Sequence, residues 1–350
     1  MDLTIALVAL AATVAAILPL RRFADQLGLV DVPTKRKQHL GAVPVIGGIA
    51  MLVGVTAAIS VSGHFNEVFW LGVSAYLLLL CGMIDDKFSI RVALRLLVQC
   101  MVALILLLGT DVHLMHLGQI LPGSEIQLGG AALPFTVFCI VGVINAVNMI
   151  DGVDGLSGSL MLVTFAGLAA IGFGSGGGLY SVCLAVSFAL LGFLAFNARV
   201  RGRRARIFMG DAGSTTLGLI VAFVLISMSQ GEGAAISPIG AAWILGVPLI
   251  DAATVIVKRA MGRRPVFAAD RAHVHHVLLD LGYSVNSTVI RLAAVQAALV
   301  GIGFLISVNP EYETLGFWAF IGLVAASVLT SNALIKRKAE AENARRAEQY

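Results

Sequence analysis

Charge is what this chain has least of. Asp, Glu, Lys and Arg make up 13% of its 350 residues, against 58% hydrophobic residues and a mean hydropathy of +0.93. Soluble domains carry about 25% charged residues, so a soluble globular fold is excluded and a polytopic helical membrane protein is expected. Cysteine is equally sparse. Cys81, Cys100, Cys139 and Cys183 lie in or at the edge of apolar runs, with no CxxC pair and no disulfide framework. The one glycine-rich run, Gly174–Gly178, has neither the strand-turn-helix setting nor the lysine of a phosphate loop. No internal repeat suggests the inverted halves of a transporter. Basic residues are missing from every second turn, and that absence carries the most information.

What is present is a series of continuous apolar runs of helical length, unlike the weak alternation of a barrel. They cover about 3–20, 45–62, 69–84, 92–109, 133–148, 159–173, 179–196, 214–229, 236–257, 290–308 and 315–335. The expected fold is all-α and polytopic, with about eleven transmembrane helices in a single domain, 1–335, and a charged tail, 336–350. Arg21–Lys37, Lys87–Arg95, Arg199–Arg206, Lys258–Arg271 and the tail hold all the basic residues except Arg291, which sits just inside a span at the same end. Basic turns stay in the cytoplasm, so the N-terminus is expected in the periplasm and the C-terminus in the cytoplasm. Arg21-Arg22 follow the first apolar run instead of preceding it, so that run reads as a retained span and not a signal peptide. The same pattern explains the net charge of +4, and no nucleic-acid partner is expected. Among the opposite turns only 111–132 is long; its Pro122-Gly123-Ser124 turn predicts a small periplasmic hairpin.

The chemistry-capable residues gather on the basic, cytoplasmic side. Asp85-Asp86 closes the third span. Adjacent acids on a helix diverge by about 100°, so one is expected to meet a substrate group and the other a metal, a cation or a backbone amide. Arg95, nine residues on, is placed to neutralise a phosphate. Asn145, Asn148, Asp151 and Asp154 recur at every third position, which would stack them on one helical face, with Gly152 and Gly155 ending the helix. Their oxygens suit a hard cation such as Mg²⁺ and can also bond a sugar or a base.

Phe208-Met-Gly210-Asp211-Ala-Gly213-Ser214 reads as a tight turn at a helix N-terminus, where free amides favour an anion and Asp211 is a natural Mg²⁺ ligand. Asp270-Arg271-Ala-His273-Val-His275-His276 could bind zinc or contact phosphate and sugar oxygens. His275 and His276 are neighbours and cannot share a helical face, which favours phosphate contact. Asp251, about two turns inside the end of its span, must find a partner within the bundle. Hard-cation ligands beside phosphate-binding cations, with no obvious serine or cysteine nucleophile, suit metal-assisted phosphoryl transfer at the membrane surface. A transporter would place its acids mid-span; a metallohydrolase centred on the histidines would need zinc or paired metals.

The motifs DDKFSIRVALR, NAVNMIDGVDGL, FMGDAGS and DRAHVHH resemble, in order and spacing, those of the polyprenyl-phosphate N-acetylhexosamine-1-phosphate transferases. The His-x-His-His form is similar to that of the undecaprenyl-phosphate GlcNAc-1-phosphate branch, which starts O-antigen or related envelope glycans. The teichoic-acid initiating branch shares it. The resemblance implies a multi-pass enzyme of a bacterial inner membrane with a cytoplasmic-face site. It implies UDP-N-acetylhexosamine and undecaprenyl phosphate as partners and Mg²⁺ as cofactor, with Mn²⁺ as a substitute; it leaves a homo-oligomer open. Asp211 and Asn148 would bind the metal, while Phe208 would stack on uracil and Asp154 would hold the uridine. Asp85 and Asp86 would position the carrier phosphate with Arg95. His273, His275 and His276 would contact the sugar-phosphate side, and Asn145, Asp151 and Arg271 would complete the substrate site.

Overall fold

A computed structural model describes residues 1–32, 41–199, 204–263 and 273–347, with side chains through 334. Arg271 therefore lies outside the described residues, as do 33–40 and 200–203 of the basic turns. The chain is a helical bundle. Its elements are α1 (Asp2–Leu27), β1 (Val30–Asp31), β2 (Val43–Pro44), α2 (Gly47–Ser62), α3 (Phe69–Phe88), α4 (Val92–Thr110), α5 (Ala132–Ile150) and α6 (Leu156–Ile171). They continue as α7 (Gly177–Asn197), α8 (Gly210–Ser229), α9 (Pro238–Ile244), α10 (Gly246–Met261), α11 (Val274–Asp280), α12 (Val285–Val308) and α13 (Glu313–Ala347).

Among the described residues eight helices are long and apolar enough to cross a membrane. The count is nine if α9 and α10 form one span, and these two are bent by 87°. This is the main departure from the apolar runs: the continuous ninth run, 236–257, is broken at Leu245. There the Val247 amide donates to Gln296 Oε1 of α12 at 2.9 Å. Both α2 and α6 are apolar helices of 16 residues and fall short of the length criterion. Length thus supports a multi-pass membrane protein with fewer clear spans than the apolar runs suggested.

The bundle is organised on α8, which is buried along almost its whole length. In lipid the hydrophobic effect does not drive helices together, so association relies on close packing of small residues. The start of α8 supplies them. A Cβ on Gly48 of α2 would come within 2.4 Å of the Gly213 backbone, and one on Gly82 of α3 within 2.3 Å of Ala212 Cα. Further along, Gly218 lies against the Ile144 backbone of α5. At the other end of the bundle the predicted hairpin forms, with Leu117 N–H donating to Ile126 O at 2.9 Å. It is tied to α13 where the Gln119 amide donates to Glu313 Oε2 at 2.7 Å, and to α8 where Gln230 Oε1 accepts from Met115 N–H at 2.8 Å.

Gly48→Ala is expected to cost ~1–3 kcal/mol, because the added methyl meets backbone that cannot yield. It should lower the thermal unfolding midpoint in detergent. Gly72→Ala, at a position in α3 with open space beside it, should leave the midpoint at or above that of the wild type.

Candidate active site

The adjacent acids that close α3 do part company. Asp85 turns to α4, where its Oδ1 accepts from the Ile90 amide and its Oδ2 from Arg95 NH1, each at 2.9 Å. Asp86 turns to α8, where its two oxygens accept from the amides of Asp211 at 2.8 Å and Ala212 at 3.2 Å. One acid has taken a cation and the other backbone amides, as their divergence requires. Asp86 thereby caps a helix start whose N–H groups have no partner within the helix. Gly210 has a φ of +75°, and a Cβ there would lie 2.6 Å from Asp86 Oδ2, so the turn accepts only glycine. The β-bridge of Phe208 with Val45 and the bond from Gly47 N–H to Phe208 O, at 2.9 Å, brace the same turn from α2. They leave Phe208 half-buried at its edge.

Asp211 is the acid this frame presents. Its Oδ1 accepts from Asn148 Nδ2 at 2.7 Å, and Asn148 also donates to Ser214 Oγ at 2.9 Å. Its Oδ2 is 3.9 Å from Arg95 NH1, and 37% of the side chain is exposed. A partly exposed carboxylate beside an amide oxygen fits Mg²⁺, which commonly takes one or two protein carboxylates and completes its shell with water and substrate phosphates. Among the described residues no group of three or more His, Cys, Asp or Glu is placed to hold a metal by itself.

The three-residue spacing from Asn145 to Asp154 does not form one face. The α5 helix ends at Ile150, Asp151 caps it, and Asp154 lies in the turn beyond. Asn145 bonds away from Asp211: its Nδ2 donates to Gln99 Oε1 of α4 at 2.7 Å. Asp154 Oδ2 accepts from Arg199 Nε at 2.7 Å, which ties this turn to the arginine-rich one. Asp151 is left with its charge opposed. Burial, then the charges of Asp211, Asp86 and Asp154, pushes its carboxyl up to about 7. Asn197, buried at the end of α7, was not singled out from the sequence. Its Oδ1 accepts from Gly155 N–H at 2.8 Å and its Nδ2 donates to Ile207 O at 2.9 Å, joining the turn after α5 to the segment before α8.

The histidines stand in a row. His273 Nδ1 is 2.7 Å from Asp251 Oδ2, and the Val274 amide donates to Asp251 Oδ1 at 2.7 Å, so Asp251 finds its partner at the start of α11. His275 is 1% exposed and lies between its neighbours, stacked on the His273 ring at 5.6 Å and tilted by 47° against that of His276 at 4.2 Å. A Cβ on Gly152 would lie 2.5 Å from its Nε2, so glycine there lets α11 reach the turn after α5. Burial first, then the neighbouring histidines, lowers the His275 pKa to about 3. The shift favours the neutral ring, and both its nitrogens are buried with no hydrogen-bond partner among the described residues.

Two outcomes test this geometry. Asp86→Ala should cost ~1–2 kcal/mol through loss of the helix cap, with faster amide hydrogen exchange at Asp211 and Ala212. For Asp151 the folded-state pKa is raised, so its contribution to stability is complete below the unfolded carboxyl value and is lost as pH rises through about 7. Asp151→Asn should therefore raise the thermal midpoint in divalent-free buffer, and more at about pH 8 than at about pH 5.

A family model described as glycosyl transferase family 4 matches residues 68–229, which include Asp85, Asp86, Arg95, Asn148 and Asp211. The undecaprenyl-phosphate alpha-N-acetylglucosaminyl 1-phosphate transferase of Salmonella typhi is 34% identical over 295 residues, covering 84% of this chain and 79% of that protein. Proteins of the same name from Escherichia coli (strain K12) and Haemophilus influenzae are 33% and 35% identical, over 84% and 88% of this chain and 82% and 89% of their own lengths.

Proposed function

The chain belongs to glycosyl transferase family 4 and is a polyprenyl-phosphate glycosyl-1-phosphate transferase; from that premise we propose the particular reaction it carries out. It transfers N-acetylglucosamine 1-phosphate from UDP-N-acetylglucosamine to undecaprenyl phosphate. An oxygen of the carrier phosphate forms the new bond to the β-phosphorus, the bond from that phosphorus to the bridging oxygen breaks, and UMP leaves with the electron pair. The relatives' printed names support this acceptor and this sugar. The observation that carries the chemistry is the junction at which Asp211, Asp85 and Arg95 meet, a partly exposed carboxylate 3.9 Å from a guanidinium held by a second acid.

In this scheme Asp211, oriented by Asn148, would hold Mg²⁺ on the donor side. The bound ion would screen charge on the transferring phosphoryl group. Arg95 meets the carrier phosphate, and Asp85 fixes the guanidinium for it. Asp86 acts through the α8 turn that it caps. Phe208 and the turn around Gly152 and Asp154 form the nucleotide side, where the Asp154–Arg199 pair sets the local charge. His273 and His276 face the sugar-phosphate side, with neutral His275 packed between them. The basic turns support a cytoplasmic site in a bacterial inner membrane, an N-terminus outside, and eleven crossings if α2, α6 and the bent α9–α10 pair each count as one. Envelope-glycan initiation, with O-antigen as the first candidate, is the corresponding role.

UMP release by the purified protein from UDP-N-acetylglucosamine should require both undecaprenyl phosphate and Mg²⁺. Asp211→Asn should lower it by ~10²-fold or more. Release that ignores the lipid would overturn the proposed reaction.

A further inference from the structure

Gln99 lies one turn beyond Arg95 on the same side of α4 and is fully buried. A chain of bonds sets its amide orientation. Asn145 donates from Nδ2 to the Val141 carbonyl at 2.8 Å, which only an amino group can do, and the same Nδ2 donates to Gln99 Oε1 at 2.7 Å. The Gln99 amino group must then point elsewhere, and among the described residues it meets no acceptor. One turn back, Arg95 spends NH1 on Asp85, while its Nε is also enclosed with no acceptor among the described residues. Buried donors are generally paired; other buried polar atoms also lack a partner among the described residues, at Thr13, Ser74 and His275 for example, but of these atoms only Arg95 Nε and Gln99 Nε2 lie four residues apart on one helix. Two orphans on successive turns of one helix, beside the reacting junction, point to an acceptor that arrives with a ligand.

The chemistry of that acceptor can be narrowed. Residues four apart on a helix have Cβ atoms ~5–6 Å from each other. An anion with several oxygens, each taking a charge-assisted bond of about 2.7–2.9 Å, can bridge such donors, as a phosphate monoester does. The other side of α4 is apolar and outward-facing, with Leu94, Leu97 and Met101 each more than half exposed. A phosphate attached to an apolar chain can therefore approach along α4 from the bilayer. The nucleotide side, at Phe208 and Asp154, is formed by the turns that precede α8 and follow α5.

We propose that Gln99 is a binding residue for the lipid acceptor, its Nε2 and the Nε of Arg95 both donating to the phosphate of the polyprenyl phosphate beside Asp85 and Asp211. This rests on the transferase reaction proposed above. It adds a neutral donor that binds the phosphate without changing the charge balance of the acids around it.

The test uses the full chain in nanodiscs, with Gln99→Met, which keeps the length and removes the amide, and Gln99→Glu, which sets a carboxylate against the phosphate. The KM for undecaprenyl phosphate should rise about tenfold in the first and further in the second. The KM for UDP-N-acetylglucosamine should stay within about twofold. Without turnover, undecaprenyl phosphate should raise the wild-type thermal midpoint more than undecaprenol does, and Gln99→Met should lose most of that difference while folding as stably as wild type without ligand. Lipid KM unchanged in both variants, or both KM values rising together, overturns the proposal. Wild-type protein that shows the Gln99-dependent phosphate effect but releases no UMP would overturn the reaction and leave the binding site standing.

Discussion

The first turn of α8 is the point on which the site depends. A helix that begins within a packed bundle presents amide groups with no partner in the helix, and leaving them unpaired is costly. Asp86 resolves two of them with one carboxylate, and it can do so only because the backbones come unusually close. Gly48 and Gly82 bring α2 and α3 against Gly213 and Ala212, and Gly210 takes a left-handed conformation that a side chain would block. Asp211 follows immediately and inherits that rigidity. Its carboxylate is aimed by Asn148 before any ligand binds, as preorganised electrostatic stabilisation requires.

Around this turn the acids are sorted by their partners. Asp85 is held by Arg95, Asp154 by Arg199 and Asp251 by His273. The buried carboxyl of Asp151 instead faces the charges of Asp211, Asp86 and Asp154. Such crowding of like charge is unfavourable, and in the proposed reaction a divalent cation arriving with the donor diphosphate would relieve it.

Several features of the site were legible in the residues alone. The divergence of Asp85 and Asp86 follows from helical geometry, and the bundle carries it out with a cation for one and backbone amides for the other. The Phe208–Ser214 turn was legible because its glycines have few other uses. The every-third-residue pattern from Asn145 misled beyond Ile150, because the helix stops where Asn197 of α7 takes over the amide of Gly155. Local spacing cannot report a partner 42 residues away. Gln99 and Asn197 had the same weak signal that marked Asn145, an amide in or at the end of an apolar helix. Each is a single residue outside any recognisable run, so only its bonding reveals it.

Composition, apolar periodicity and the placement of Lys and Arg determined by themselves that this is a multi-pass helical membrane protein whose candidate site gathers at the basic ends of its spans. Those properties sum over many residues and survive local ignorance. The tertiary structure decided which acid meets which donor, where the 236–257 run breaks, and that the histidines form a stacked row against Gly152 with no metal cage among the described residues. These outcomes depend on contacts of a few ångströms between helices far apart in the chain, where one glycine or one orphan amide shifts the balance and sequence spacing carries no record of it.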